Sequence, residues 1–246
     1  MNRRWRLWLG GLAVMGLALL AGNIFLAGQL RLRYERQLMQ QVWPAGANRP
    51  LVTTGPLEGT NIVLLFGDSR MAEWGGIAVS NQTVVNAGQS GATTGQLRLV
   101  LPVLLDEFHP ATVVVEAGVN DLKLIGLKPE LEDALVAQAE ENFSNMVEQC
   151  CARGCRVVLL ETWPVGKPEW LRRPVWNVEI AKAVARLNER LRLLDSPARK
   201  VKVANLFKEA GVAVDAGMFR DALHFKRSVY ERLEPALQKQ LNETTK

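Results

Sequence analysis

Residues 61–70 read NIVLLFGDSR. The five apolar residues Ile62–Phe66 are typical of a strand buried on both faces, because a half-exposed strand alternates apolar and polar side chains. Gly67 ends the run, and Asp68 and Ser69 follow it directly. The sequence therefore predicts a serine at the carboxyl edge of a sheet, where open α/β sheets bind their ligands.

Short apolar runs of this kind recur along the chain. They are Asn61–Phe66, Thr83–Asn86, Thr112–Ala117, Arg156–Glu161 and Val201–Leu206. Between them, apolar residues repeat at spacings of three and four, as in Leu97, Val100, Leu101, Leu104 and Leu105, which indicates amphipathic helices. Strands that alternate with helices predict a three-layer α/β/α sandwich of the flavodoxin-like type, with a five-stranded, mostly parallel sheet.

Glycine and polar residues follow the first three strands, and a fourth polar block precedes the last helix. The blocks are Gly67-Asp68-Ser69-Arg70, Ala87-Gly88-Gln89-Ser90-Gly91, Gly118-Val119-Asn120-Asp121 and Asp221-Ala222-Leu223-His224. Because the carboxyl ends of parallel strands share one edge of a sheet, we expect these blocks to meet there.

Ser69, His224 and Asp221 have the chemistry of a catalytic triad. A serine hydroxyl is a weak nucleophile until a base takes its proton, and an orienting carboxylate holds that base. Asp221 lies three residues before His224, so one turn can direct both side chains the same way. His109, the other histidine, precedes the third strand and is assigned to structure because it lies at the opposite edge.

Three groups are candidate donors to a developing oxyanion. They are the backbone N–H of Ser69, the backbone N–H of Gly91 and the side-chain amide of Asn120. Gly91 suits this role because it lacks a side chain and allows close approach of a substrate.

Over residues 60–243 the four blocks, in this order, resemble the SGNH hydrolases, also called GDSL-type esterases and lipases. The resemblance implies that Ser69 is the nucleophile, that Asp221 and His224 complete the triad, and that Gly91 and Asn120 contribute to the oxyanion hole. It departs from the family at Arg70-Met71, where a leucine is expected after the serine. This departure concerns specificity, and Arg70 is therefore counted among the candidate substrate-binding residues.

The segment Thr162–Asn177, which follows the fourth strand, is a candidate substrate wall. Its aromatic and cationic residues are Trp163, Trp170, Trp176, Arg172 and Arg173. Indole faces suit sugar rings or acyl chains, and the arginines suit an anionic group, but the tryptophans could equally cover the core.

Each candidate residue also has a purely structural interpretation. Ser69 could cap the helix that follows its strand. Asn120 could cap a turn, and Gly91 could serve only a turn. Asp221 and His224 could form a surface pair before a helix.

The net positive charge of the chain comes from its N-terminus. Residues 1–36 contain six Arg and one Glu, which leaves 24 basic and 24 acidic residues in the rest of a chain with 30 and 25 in total. A neutral body argues against nucleic acid as a partner. The chain has only two His and three Cys, whereas a structural zinc site usually needs four such ligands. We therefore expect neither a metal nor a cofactor.

The N-terminal 30 residues predict a membrane anchor. Arg3, Arg4 and Arg6 precede an apolar run over residues 7–30 that is long enough to cross a bilayer. A cleaved signal peptide and a buried core helix are the alternatives. The basic N-terminus favours residues 1–6 in the cytoplasm, a single pass through the plasma (inner) membrane, and a periplasmic body if the source is Gram-negative.

Turn-forming residues predict that residues 31–60 are a juxtamembrane linker and that the catalytic domain covers residues 61–246. Cys150, Cys151 and Cys155 cluster in this domain. One interpretation of this cluster is a disulfide bridge through Cys155, which an oxidising compartment would favour. The other interpretation is three unpaired thiols.

The combined prediction is a membrane-anchored serine esterase that acts on O-acetyl or short acyl esters, with envelope or exported polysaccharide favoured as substrate. An O-acyltransferase that uses the same acyl-enzyme is one alternative. A non-catalytic docking subunit of an envelope assembly, with unknown protein partners, is the other.

Overall fold

The computed structural model describes residues 3–44, 46, 53–54 and 61–242. The chain divides into two compact units, Met1–Met39 and Gln40–Lys246. Helix α1, Arg3–Val42, contains most of the first unit. The predicted linker began at residue 31, but its first twelve residues are helical, because no proline or glycine occurs between residues 31 and 43.

Helix α1 exposes a long apolar surface. Large side chains from Trp8 to Leu30 are more than half exposed, and the stretch Gly11–Val42 is apolar and long enough to cross a membrane. At 1.5 Å per residue, 40 residues extend about 60 Å, about twice the thickness of a bilayer core. The helix therefore has the length and composition of either a membrane span or a signal sequence.

The sheet contains the five predicted parallel strands and one short addition. Its strands are β1 Thr53–Thr54, β2 Ile62–Gly67, β3 Thr83–Gly88, β4 Thr112–Glu116, β5 Arg156–Leu160 and β6 Val201–Ala204. They lie in the order β1-β3-β2-β4-β5-β6, and all neighbours are parallel except β1, which pairs with β3 antiparallel. The prediction of a mostly parallel five-stranded sheet is confirmed, with strand limits within two residues. Strand β1 lies inside the predicted linker.

Helices cover both faces of the sheet. They are α2 Ser69–Ala72, α3 Thr94–Phe108, α4 Val119–Leu122, α5 Glu132–Ala152, α6 Glu179–Leu191, α7 Leu206–Glu209 and α8 Arg227–Asn242. Short 3-10 helices are Lys123–Gly126, Pro129–Leu131, Trp170–Val175, Arg192–Leu194, Pro197–Arg199 and Ala216–Met218. Helices α2, α7 and α8 pack in one apolar core with alternate residues of the central strands, such as Val63 and Leu65. Helices α3, α5 and α6 pack side by side, which completes the predicted three layers.

The parallel strands bring the four sequence blocks to one edge. Gly67, Gly88 and Glu116 are the last residues of β2, β3 and β4, and they lie in register across the sheet. The residues that follow them therefore emerge side by side at the carboxyl edge, as the alternation of strands and helices predicts.

Candidate active site

Ser69 is held at the start of helix α2 by a tight turn after β2. A side chain at position 67 would meet the Glu116 carbonyl oxygen at 1.9 Å, so only glycine allows this close approach. Asp68 is the N-cap, and its Oδ1 accepts the N–H of Arg70 at 2.9 Å. The cap of α2 is thus Asp68 and not Ser69, whose side chain remains available for other contacts.

Ser69, His224 and Asp221 lie together. His224 Nε2 is 3.0 Å from Ser69 Oγ, and His224 Nδ1 is 2.8 Å from Asp221 Oδ2. A carboxylate only accepts hydrogen bonds, so Nδ1 carries the proton in the neutral ring and Nε2 accepts from the serine hydroxyl. The side chains of His224 and Asp221 are 23% and 26% exposed, which leaves the pair in reach of a small molecule.

Asp221 is also fixed by the backbone of its own loop. Its Oδ1 accepts the N–H of Leu223 at 2.7 Å and the N–H of His224 at 3.0 Å. Partial burial raises the pKa of Asp221, but the hydrogen bonds from His224 and Leu223 outweigh it and lower the pKa to about 2. The carboxylate is therefore ionised at any pH at which the protein would normally be assayed.

His109 lies far from this pair along the sheet. It caps the C-terminal end of α3, just before β4, with a left-handed φ of 43°. This places it at the amino edge of the sheet.

The predicted oxyanion donors border the same edge. Gly91 has a φ of 77°, and a side chain there would meet nothing within 4 Å, so the space beside its Cα is open. Within the described residues, the backbone N–H groups of Ser69 and Gly91 have no acceptor. Asn120 is nearly buried, and its amide donates to the Ala92 carbonyl at 2.8 Å, which holds it beside the Gly91 loop.

Asp121 fixes the helix that carries Asn120. Its carboxylate accepts the N–H of Thr94 at 3.0 Å and the Thr94 hydroxyl at 2.6 Å, and Asn142 donates to the same hydroxyl at 3.0 Å. Burial raises the pKa of Asp121 to about 6 in spite of these bonds. The sequence placed Asp121 in a block but assigned it no role, because its partner lies 27 residues away.

Two further buried carboxyls lie beneath the serine, and neither was singled out from the sequence. Asp68 and Glu116 are both fully buried. Burial raises the pKa of each, and the Asp68 charge raises the pKa of Glu116 further. A charged residue at the end of an otherwise apolar strand, as Glu116 is in β4, was the available signal.

Lys123 is a half-buried cation near these groups. Burial lowers the pKa of its amine, while the Asp68 carboxylate opposes that shift. Among the described residues it forms no ion pair within 4 Å.

Arg70 and Trp163, both predicted from the sequence to contact substrate, are buried in the structure. Arg70 is 0% exposed, and Trp163 is 2% exposed in the core between the sheet and α8. Trp176 is buried as well. Their burial supports the core interpretation of these two tryptophans, and Trp163 belongs to the apolar core that also contains residues of α8.

The rest of the predicted wall is on the surface. Trp170 is 74% exposed, and Arg172 and Arg173 are exposed in the 3-10 helix Trp170–Val175.

Two cavities flank the loop after β5. One of about 390 Å³ is lined by residues such as Trp163, Pro164 and Arg192. The other, of about 430 Å³, includes Phe219 and Asp221 in its wall. The second cavity therefore adjoins the loop that carries Asp221.

Cys150, Cys151 and Cys155 are unpaired thiols in the structure, two of them buried. Of the two interpretations of the cysteine cluster, the structure therefore has the free thiols. Within the described ranges, no group of three or more His, Cys, Asp or Glu side chains could hold a metal ion.

Comparisons with known proteins agree on one family. Residues 65–232 match the model of the GDSL-like lipase/acylhydrolase family. The esterase TesA of Pseudomonas aeruginosa is 42% identical over 77 residues, which are 31% of this chain and 34% of that protein. The chain thus matches about a third of the length of this curated relative.

Solved structures extend the likeness to the whole fold. The crystal structure of TesA has a TM-score of 0.52 and 25% identity, covering 74% of this chain and 99% of that one. A GDSL-like lipase from Bacteroides thetaiotaomicron has a TM-score of 0.58 at 20% identity, with coverage of 74% and 88%. Est24, a carbohydrate acetylesterase from Sinorhizobium meliloti, has a TM-score of 0.54 at 17% identity, with coverage of 75% and 99%.

Proposed function

The chain belongs to the GDSL-like lipase/acylhydrolase family and is a hydrolase that acts on esters; from this premise we propose that Ser69, His224 and Asp221 form its catalytic triad. Ser69 Oγ attacks the ester carbonyl while His224 Nε2 takes the hydroxyl proton. The proton then passes to the leaving alcohol, and the acyl group remains on Ser69. His224 next removes a proton from water, which attacks the acyl-enzyme; the bond between the acyl carbon and Ser69 Oγ then breaks, His224 returns the proton to Ser69 Oγ, and the acid leaves.

The observation that carries this proposal is the continuous path from Asp221 through His224 to Ser69, with contacts of 2.8 and 3.0 Å. Ser69 and His224 lie 155 residues apart in the chain. Because α2 is capped by Asp68, the structural interpretation of Ser69 as a cap does not explain its position. The surface-pair interpretation of Asp221 and His224 does not explain the contact with Ser69.

The oxyanion is proposed to bind the N–H groups of Ser69 and Gly91 and the amide of Asn120. Unused N–H groups at the first two positions support this, since each can donate without breaking an existing bond. The Asn120 amide donates to the Ala92 carbonyl at 2.8 Å and to Asp68 Oδ2 at 3.4 Å, and binding of the oxyanion would replace the second, longer bond.

Asn120→Ala is expected to lower kcat by about 10²–10³-fold, as the loss of one oxyanion-hole donor does in other hydrolases. Steady-state hydrolysis of p-nitrophenyl acetate measures the change, and thermal unfolding followed by circular dichroism measures the stability lost with the Ala92 bond. Asn145→Ala is the matched control, because Asn145 is half-buried and its amide donates to the Glu141 carbonyl of its own helix. A kcat within threefold of the parent, in a folded Asn120→Ala protein, would remove Asn120 from the oxyanion hole.

The proposed substrates are O-acetyl and short acyl esters, with acetylated envelope or exported polysaccharide as the natural source. Exposed Trp170 beside Arg172 and Arg173 supports a carbohydrate, because indole faces stack on sugar rings. The experiment is hydrolysis of p-nitrophenyl esters of increasing acyl length by the full chain, together with fluorophosphonate labelling and peptide mapping. We expect kcat/KM to be highest for the acetyl or butyryl ester and the label to be on Ser69. A maximum at long acyl chains would instead indicate lipid esters, and a label on another residue would contradict the triad.

We propose that α1 anchors the chain in the plasma membrane with the catalytic domain, residues 61–246, outside the cytoplasm. The exposed apolar surface from Trp8 to Leu30 supports an environment of lipid, because such a patch is costly in water. Arg3, Arg4 and Arg6 support a cytoplasmic N-terminus. A reporter enzyme fused to the C-terminus measures the side of the membrane on which the domain lies.

A further inference from the structure

Arg70 is a buried cation that joins three parts of the site. Its guanidinium donates from Nε to the Leu223 carbonyl at 3.0 Å, from Nη1 to the Trp163 carbonyl at 2.7 Å, and from Nη2 to the Pro164 carbonyl at 3.0 Å. The first carbonyl belongs to the loop that carries the triad base, and the other two belong to the loop after β5. Arg70 itself directly follows Ser69 in helix α2.

Burial of a guanidinium is costly unless its donors are used, and here all three nitrogens have acceptors. Glu116 Oε1 lies 3.7 Å from Nη1, and the ring centroid of Phe225 lies 5.5 Å from Cζ. The Arg70 side chain is thus fully buried, and it has no exposed surface that substrate could contact.

The contact with Leu223 bears directly on His224. The peptide that joins them is planar, and its C=O and N–H point in opposite directions when it is trans. Its C=O is held by Arg70 at 3.0 Å, and its N–H, on His224, donates to Asp221 Oδ1 at 3.0 Å. The C=O and the N–H of this one peptide are therefore held from opposite sides. These two bonds orient the backbone of His224, and with it the imidazole.

We propose that Arg70 is a positioning residue, which holds the Leu223–His224 peptide so that the imidazole lies between Ser69 Oγ and Asp221. The inference rests on the proposed function, because it assigns Arg70 a role in the triad described above. Helix α2 carries both the nucleophile and the clamp, so any shift of Ser69 moves the base with it. Lysine cannot replace this arrangement, because one ammonium cannot reach three carbonyls that diverge as the guanidinium nitrogens do.

The test compares Arg70→Lys with the parent full chain in detergent. A displacement of the base by about 1 Å costs about 10²-fold in rate, so we expect kcat for p-nitrophenyl acetate to fall by about 100-fold while KM stays within about twofold. Arg153→Lys is the matched control, because Arg153 is a surface residue that pairs with Asp106. Circular dichroism gives the folded fraction, and kcat is expressed per folded molecule.

A spectroscopic measurement separates positioning from a general loss of stability. The proton on His224 Nδ1 is expected to give a low-field proton NMR signal in the parent, and its loss in His224→Ala identifies it among only two histidines. We expect this signal to disappear or broaden in folded Arg70→Lys and to persist in Arg153→Lys. If Arg70→Lys does not fold, Arg70→Gln, which retains an amide donor, is measured by the same criteria.

Two results would overturn the role of Arg70 and leave the triad in place. One is a folded Arg70→Lys protein with kcat within threefold of the parent. The other is a folded Arg70→Lys protein in which KM rises tenfold while kcat is unchanged. In both, Ser69→Ala measured in parallel is inactive. An active Ser69→Ala protein instead overturns the proposed function and the role of Arg70 together.

Discussion

Ser69→Ala is expected to lower kcat for ester hydrolysis by at least about 10⁴-fold, to the rate left by the oxyanion donors and binding alone. The physical reason is that the attacking atom is lost, while His224 and Asp221 keep their mutual contact of 2.8 Å. The measurement is hydrolysis of p-nitrophenyl acetate by the full chain, with circular dichroism to confirm folding. The removed hydroxyl is in a nearly buried site, 8% exposed, and its loss leaves the N-cap at Asp68 intact.

Ser80→Ala is the control for this variant, because Ser80 is exposed in the turn before β3. Unchanged hydrolysis in a folded Ser69→Ala protein would contradict the triad. A further comparison in cells separates catalysis from docking. If deletion of the chain causes a defect that the Ser69→Ala protein repairs, the docking role is favoured over hydrolysis.

The sheet was predictable because its strands are buried on both faces. In a globular domain, a continuous apolar run such as Ile62–Phe66 is buried on all sides, as a central strand is. The run is too short to be a helix. The carboxyl edge of the sheet then brings together blocks that are far apart in sequence. That rule alone predicts that Ser69 and Asn120 lie near one another.

Arg70 and Trp163 were not predictable, for a reason that concerns tertiary context. An arginine after a catalytic serine is expected at the surface, since burial of a guanidinium requires acceptors that no local pattern reveals. Here the acceptors are carbonyl groups of Leu223, Trp163 and Pro164, which are 93 to 153 residues away. Strand β1 likewise was not predicted, because it has only two residues and lies among the turn-forming residues of the predicted linker.

The layer beneath the site explains why these charged groups tolerate burial. Arg70 donates to the three carbonyl groups and lies 3.7 Å from the Glu116 carboxyl, and Asp68 caps the helix that carries both Ser69 and Arg70. Burial raises the pKa values of Asp68 and Glu116, while the Arg70 charge lowers both. The polar layer thus supports the position of α2, and with it the serine, at a cost in desolvation that an apolar layer would not have.

Asp221→Asn is expected to lower kcat by about 10⁴-fold, as the same change does in the chymotrypsin triad. The asparagine retains one oxygen for the N–H groups of Leu223 and His224, which the native Oδ1 accepts at 2.7 and 3.0 Å. The atom that replaces Oδ2 becomes an NH₂ donor, so it cannot accept the Nδ1 proton. The imidazole then takes the tautomer with a proton on Nε2, which cannot accept the hydroxyl proton of Ser69.

Stability provides a second readout of Asp221 with a definite sign. Its pKa is about 2 in the folded chain and 3.8 in the reference state, so the ionised carboxylate stabilises the fold above about pH 4. This contribution is lost as the pH falls through 3.8 toward 2. We expect Asp221→Asn to unfold at a lower temperature than the parent at pH 7, with a smaller difference at pH 3.

Asp106→Asn is the matched control for the activity readout, because Asp106 is an exposed carboxylate that accepts from Arg153 at 2.8 Å. It should leave kcat within twofold of the parent. The Asp221→Asn substitution removes one contact only, the bond that the side chain accepts from His224 Nδ1. Full activity in a folded Asp221→Asn protein would therefore mean that another group orients His224. A loss no greater than tenfold would mean that the two bonds to the loop backbone, and not the charge of Asp221, account for most of its effect.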